Sequence, residues 1–419
     1  MEVAVVGMLD EREQALRLLK ERIEARGHRA FLIDISMGVG GIVACLKPHV
    51  SNEEVARAGG TSMEEIRSSL VKERQKATCA MSDGLTRKLV ELQTAGRIGG
   101  VIAVGGMTGT SISLPALRAL PFGFPKALVS SAAAMPAYAG KFSEYFGVRD
   151  IAVLHSVVDT VGLNPLIRSL MINGAGLICG MVESSEPITQ DERPSIALTE
   201  FGFCDRGAEA VRTILKAKGY NVVSFHATGL GDRAAEDLVG QGLFQAFIDL
   251  VPAGLSEHIL GGNRDAGPHR LEAAVTRGVP YILSPCGFDM LSCGPIERRD
   301  KGDPLWTSRK LSQRKLLVQD AMRVQARTTA QEMRLVARAV AEKLNRHPRK
   351  KQVRFLLPMR GFSSLSGQGG ALHDLEADRV FVTSLRENLD SDIVVREVDA
   401  HINDPAFARA VAEALGEVI

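Results

Sequence analysis

The stretch EVAVVGMLDEREQALRLLKERIEARGHRAFLIDI, residues 2–35, sets the expectation for the whole chain. Its apolar start, Glu2 to Met8, reads as a strand. Glu11 to Arg26 repeats apolar residues at helical spacing, and Arg29 to Ile35 reads as a second strand after Gly27. A strand, a helix and a strand joined by short links make the βαβ unit of a parallel sheet. The same order returns at Ser195 to Thr199, Arg206 to Lys218 and Asn221 to His226. Both helices leave through a glycine suited to a left-handed cap, in Arg26-Gly27-His28 and Lys218-Gly219-Tyr220.

Later segments pair off as well. Gly100 to Val104 has a counterpart in Gln245 to Leu250. The strand entered through a proline at Gly123 to Ser130 has one at Gly278 to Ser284. This repetition predicts an α/β protein of two Rossmann-like subdomains with largely parallel sheets flanked by helices, descended from a duplication. The polar, proline-containing stretch Glu183 to Pro194 follows an expected long helix at Asn164 to Met181, so the halves are expected at 1–190 and 191–419. The first half carries extra material between Gly40 and Ala95. Ser51 with Glu54, and Thr329 with Glu332, have capping-box spacing. Strands are expected at Val353 to Pro358 and Ile393 to Val398, and a final helix at Pro405 to Leu415.

Composition agrees with a globular protein of this kind. The 419 residues exceed one ordinary core, 45% are hydrophobic and 24% charged, and 41 are glycine. A formal net charge of +2 supplies no global field for nucleic acid or a membrane. Six cysteines without a C-x-x-C pair or zinc spacing predict reduced thiols in a cytoplasmic protein. The N-terminus lacks a basic flank and reads as a strand, not a signal peptide, and no uninterrupted apolar stretch is expected to span a bilayer.

The chemistry is expected in loops after strands. Gly105, Gly106 and Gly109, with Thr108, Thr110 and Ser111, stand between a strand and a helix expected at Thr110 to Leu120. Backbone N–H groups there can converge on an anion at a helix N-terminus, and the hydroxyls add donors. A second loop, His226 to Asp232, offers Thr228, Gly229 and Gly231 at the same kind of edge. Asp289 follows another strand. Arg360 can grip phosphate or carboxylate through two N–H groups. His401, two residues after Asp399, is a candidate base or metal ligand, while Asp404 before Pro405 has the pattern of an N-cap. The basic run Arg346, Arg349, Lys350 and Lys351 lacks interleaved aromatics and reads as a solvated surface, which makes nucleic acid an unexpected partner.

Taken together, Gly7 to Asp10, Gly105 to Ser111, Ser156 to Asp159, His226 to Gly231, Ser284 to Asp289 and Asp399 to Phe407 resemble the Tm-one-like ATP-binding domain family of plants and many bacteria. The run His401-Ile402-Asn403-Asp404-Pro405-Ala406-Phe407 is the most distinctive part. The resemblance spans essentially the whole chain. It implies ATP binding with a divalent ion, here magnesium, and a homodimer. The expected function is therefore Mg-ATP binding in a cleft between the subdomains, with the glycine-rich loops on the nucleotide and Asp289 or Asp404 on the metal. Two alternatives stand beside it: an enzyme acting on a small anionic sugar acid or oxo acid through His401 and Arg360, and a protein-interaction module gated by nucleotide.

Overall fold

In the first 188 residues a five-stranded parallel sheet carries helices on both faces. The computed structural model describes residues 1–38, 44–186, 188 and 193–419, and the chain divides into two units, Met1–Ile188 and Thr189–Ile419. Position 190, expected as the boundary, lies outside the described residues, as do Gly40 and part of the Glu183 to Pro194 stretch. Among the described residues the strands of unit 1 are β1 (Glu2–Gly7), β2 (Arg29–Asp34), β3 (Gly100–Gly105), β4 (Lys126–Ser130) and β5 (Ala152–His155), in the order β2-β1-β3-β4-β5. Val5 pairs with Leu32 on one side and Ile102 on the other.

The alternation of apolar residues along each strand splits the core. Val3 and Val5 on β1, with Ile102 and Val104 on β3, face helices Leu9–Glu24 and Pro165–Glu183. Ala4, Val6, Val101 and Ala103 face the other way, toward a cluster containing Ile112, Leu114 and Leu117 of helix Met107–Ala119. The chain therefore leaves β1 for one face and β3 for the other. Their loops part at the carboxyl edge, the point where ligands bind in open α/β sheets.

Unit 2 repeats the plan. β6 (Ser195–Glu200), β7 (Asn221–His226), β8 (Ala246–Asp249), β9 (Tyr281–Leu283), β13 (Val353–Pro358) and β14 (Val394–Val398) form a six-stranded sheet ordered β7-β6-β8-β9-β13-β14. Counted from the start of each unit the order is 2-1-3-4-5 in both, with one strand added in unit 2. Gly27 and Gly219, at equivalent helix exits, both have positive φ, 83° and 87°. A small antiparallel sheet, β10 (Met290–Ser292), β12 (Val324–Arg327) and β11 (Leu316–Val318), interrupts the repeat. Its strands are too short to show a period in the sequence.

Both expected capping boxes form, at Ser51/Glu54 and at Thr329/Glu332. One expectation needs correcting. Among the described residues one helix, Pro165–Glu183, is long and apolar enough to span a bilayer by length and composition, with mean hydropathy 1.4. Ile167, Met171, Ala175, Ile178 and Cys179 on it are buried against the sheet and helix Leu9–Glu24, which is the place of a core helix.

Candidate anion site at the edge of the first sheet

The glycine-rich segment is not a loop. β3 runs through Gly105, Gly106 is the N-cap, and the helix begins at Met107, three residues earlier than its expected start. Small residues permit this abrupt change. A Cβ on Gly105 would lie 2.8 Å from the Gly109 Cα, so Gly105 and Gly109 serve the close approach of strand to helix. Thr110 is fully buried and its Oγ1 bonds Ser130 Oγ at 2.7 Å, while Ser111 Oγ donates to the Met107 carbonyl at 2.9 Å. Thr108 Oγ1 accepts a long bond from Arg74 at 3.4 Å. The hydroxyls expected to reach a ligand are thus largely occupied within the chain.

What remains is the helix tip. Among the described residues no side chain caps it, and its first intrahelical backbone donor is Thr110 N–H, to the Gly106 carbonyl at 2.9 Å. The N–H groups of Met107, Thr108 and Gly109 precede that bond and carry the positive end of the helix dipole. Gly106 lets three polar side chains approach the tip closely. A Cβ there would sit 3.0 Å from Arg12 Nη2, 3.7 Å from Ser131 Oγ and 3.8 Å from Asp159 Oδ1. Loops after β1, β3, β4 and β5 therefore converge on one point.

Arg12 is 4% exposed and is the buried cation of this point. Its Nε donates to Thr160 Oγ1 at 2.8 Å, Nη1 to Glu11 at 2.5 Å and Nη2 to Asp159 Oδ1 at 3.1 Å. The helix it belongs to is kinked there, with φ −124° and ψ 19° at Arg12. The tip of that helix is closed to anions. Leu9 N–H goes to Asp34 Oδ1 at 3.2 Å, and Asp10 N–H to Ser36 Oγ at 3.1 Å. Asp10 is 8% exposed, and its polar neighbour Ser36 donates its hydroxyl to Asp34 at 2.5 Å. Burial, with Glu11 and Asp34 close by, pushes the Asp10 carboxyl above its usual pKa. Sequence reasoning gives Arg12, Asp159 and Asp10 no ligand role. Asp10 and Asp159 lie in segments that carry the family resemblance, whereas the signal for Arg12 is its position just after β1.

Unit 2 closes the corresponding edge. The β8 loop is Leu250-Val251-Pro252-Ala253, with all four residues buried. Asp249 at the end of β8 is tied to Arg270 at 2.6 Å, Tyr281 at 2.7 Å and Thr199 at 2.6 Å. In the His226 to Asp232 segment, Gly229 supplies a positive φ of 95° at an N-cap. A Cβ on Gly231 would come within 1.9 Å of the His226 carbonyl oxygen. Both glycines have backbone roles, and Thr228 is an exposed neighbour whose hydroxyl reaches only the His226 carbonyl, at 3.5 Å.

His401, Arg360, Asp289 and Asp404 are likewise engaged. His401 Nδ1 accepts the Asn403 N–H at 3.1 Å, so the proton sits on Nε2, which donates to the Ser363 carbonyl at 2.9 Å. This neutral tautomer braces two loops and leaves no ring nitrogen for a metal or a transferred proton. Its ring edge packs on Gly361 and Gly367, where a Cβ would approach Cδ2 to 2.7 Å and 3.0 Å. Arg360 closes its fork on Asp399 at 2.7 Å and 2.8 Å. Asp404 does hold the N-cap position before Pro405, but its carboxylate turns back to the His401 N–H at 2.8 Å and does not cap its own helix. Asp289 is fully buried on Ser363 Oγ at 2.5 Å and the Gly287 N–H at 3.1 Å. Among the described residues no group of three or more His, Cys, Asp or Glu is placed to hold a metal ion, so Asp289 and Asp404 do not fit a magnesium held by the chain alone. Of the basic run, Arg346 pairs with Glu342 and Lys350 with Asp390, and Arg349 bonds the Gly278 carbonyl. All six cysteines are free thiols, Cys45 and Cys79 exposed and the rest buried.

Fold and site together define a two-unit α/β protein of parallel sheets, with an uncapped helix tip beside a buried arginine in the first unit. Residues 1–187 match the N-terminal domain and residues 193–419 the C-terminal domain of the Uncharacterised protein family UPF0261, and the chain belongs to that family. A UPF0261 protein of Clostridium tetani is 34% identical over 99% of this chain and 98% of its own length. One from Brucella suis is 30% identical over 98% and 94%. The ToMV resistance protein Tm-1(GCR237) of Solanum lycopersicum is 31% identical over 85% of this chain, which corresponds to 46% of the tomato protein. Among solved structures, a UDP-N-acetylglucosamine 2-epimerase aligns with 68% of this chain and 78% of its own at 12% identity and TM-score 0.24, too slight a likeness to inform function.

Proposed function

We propose that unit 1 binds the phosphate chain of a nucleotide at the tip of helix Met107–Ala119, with ATP, implied by the family resemblance, as the first ligand to test. The observation that carries this reading is the helix tip at Gly106, where the N–H groups of Met107, Thr108 and Gly109 have no hydrogen-bond partner among the described residues and a Cβ on Gly106 would lie 3.0 Å from the buried Arg12 guanidinium. The neighbouring tip at Leu9 would repel an anion, since it is already capped by Asp34 and carries Asp10 and Glu11. Magnesium would arrive on the phosphates and not on Asp289 or Asp404.

Titration calorimetry with ATP, with and without magnesium, tests the proposal. Gly106 has φ −81° and ψ −151°, a conformation open to other residues, so Gly106→Val fills the space without straining the backbone. The expected result is at least ten-fold weaker binding by a variant that still unfolds in a single cooperative transition. Equal affinity in the two proteins, or no binding heat from the wild type, would remove the phosphate reading.

A further inference from the structure

We propose that Asp159 is a built-in stand-in for the ligand's anionic group: its carboxylate holds Arg12 until a phosphate displaces it, and the strained turn at Val157 favours that release. This rests on the phosphate reading of the same site.

Asp159 Oδ1 takes the Arg12 Nη2 proton at 3.1 Å and the Thr160 N–H at 2.7 Å, while its side chain is 64% exposed. It therefore occupies the mouth of the site and Arg12 the back. The other two bonds of Arg12, to Thr160 Oγ1 and to Glu11, do not involve Asp159, so the guanidinium would stay beside Gly106 when Asp159 leaves. A phosphate oxygen placed there would meet the same Nη2 that Asp159 now meets. Phosphate carries more charge than one carboxylate and also reaches the helix tip, which no side chain, Asp159 included, caps.

The segment that delivers Asp159 is under tension. Val157 has φ +61°, in the left-handed region that a β-branched residue rarely adopts, and it is 79% exposed, so no packing of its side chain repays the conformation. Around it Val158 N–H donates to the Ser156 carbonyl at 2.6 Å and Ser156 Oγ to the Val158 carbonyl at 2.7 Å, closing a three-residue turn. On both sides the chain is anchored: Ser156 is 2% exposed with its N–H on the Ser130 carbonyl at 2.9 Å, and Thr160 is fully buried. Between two fixed ends, placing Asp159 on Arg12 imposes the turn, and release of Asp159 lets Val157 return to an ordinary φ.

Two substitutions should then act in opposite directions on the full chain, with inorganic tripolyphosphate as the probe in titration calorimetry. Asp159→Asn removes the competing charge and should tighten binding about ten-fold. Val157→Gly removes the strain from the empty form, and with it the push toward release, and should weaken binding about three- to ten-fold. In the double variant Val157→Gly should have less than a two-fold effect, because the strap is no longer held. A wild type that binds with an affinity unchanged or weakened by Asp159→Asn overturns the stand-in while leaving the phosphate site intact. Equal effects of Val157→Gly with and without Asp159 overturn the coupling of strain to release. Absence of binding by both the wild type and Asp159→Asn overturns the phosphate reading and this proposal with it.

Discussion

Asp378 shows how a single buried charge sets the pH response of unit 2. It is 7% exposed and bonds Arg327 Nη2 at 2.6 Å, but burial, with Asp289 and Asp374 nearby, pushes its carboxyl up to about 6 from 3.8. A folded value above the unfolded one means that the fold favours the protonated form. The contribution to stability is therefore complete below pH 3.8 and is lost as the pH rises through about 6. Asp378→Asn imitates the protonated form. Urea titrations should find the difference between variant and wild type constant below pH 4, then moving in favour of the variant by about 3 kcal/mol between pH 4 and pH 7. A difference independent of pH would show that Asp378 does not titrate in this range. His401 is the complementary case. Its residue type and its place after a strand suggest chemistry, yet both ring nitrogens are loop braces. Hydrogen bonds to backbone groups 2 and 38 residues away leave no mark in a residue's immediate sequence.

At the scale of elements, the junction of β3 with its helix is a tightly constrained piece of unit 1. The glycine cluster is legible in the sequence, and it reads as a cradle because glycines between a strand and a helix do serve anions. The structure gives its members different roles, with Gly105 lying hard against the backbone of Gly109 and Gly106 facing the polar side chains of Arg12, Ser131 and Asp159. The division follows from where the helix begins, and local propensity places helix starts only within a few residues. Gly105→Ala puts a methyl 2.8 Å from the Gly109 Cα, a backbone atom that cannot turn aside. It should cost about 2–3 kcal/mol in denaturant unfolding, the range of an overpacked core. Gly106→Ala, whose nearest neighbour is the end of the Arg12 side chain, should cost less than half as much. Equal losses at the two positions would mean that the close strand–helix approach is not what Gly105 serves.

Across the whole molecule, the two units share a strand order but differ at its switch point: at Gly106 in unit 1 no side chain caps the helix tip among the described residues, whereas the edge at Asp249 in unit 2 is filled by its bonds to Arg270, Tyr281 and Thr199. Arg270 is the centre of that filling. It is 1% exposed and bonds Glu236 at 2.7 Å, Asp249 at 2.6 Å and Asp232 at 3.4 Å. Burial pushes Asp232 and Glu236 upward, and Arg270 is the cation that opposes this. Arg270→Ala would leave three buried carboxyl groups without a cation, at a cost of about 3–5 kcal/mol. Trp306, the one tryptophan of the chain, is buried in unit 2 with Nε1 on the Cys293 carbonyl at 2.8 Å, so its fluorescence reports that unit. The expected outcome is an earlier fluorescence transition in urea. An unmoved transition would show that the network contributes nothing net. By itself the sequence determined the α/β class, the repeated βαβ opening, the glycine helix exits and both capping boxes, because periodicity, turn residues and caps act over a few residues along the chain. Only the tertiary structure decided which glycine the strand–helix approach requires, which carboxylates are spoken for, and that Arg12, Ser131 and Asp159 meet at one point. Those outcomes depend on loops brought together by strands nearly 100 residues apart in the chain, β1 and β3, and across a hydrogen-bonded sheet no local pattern encodes that meeting.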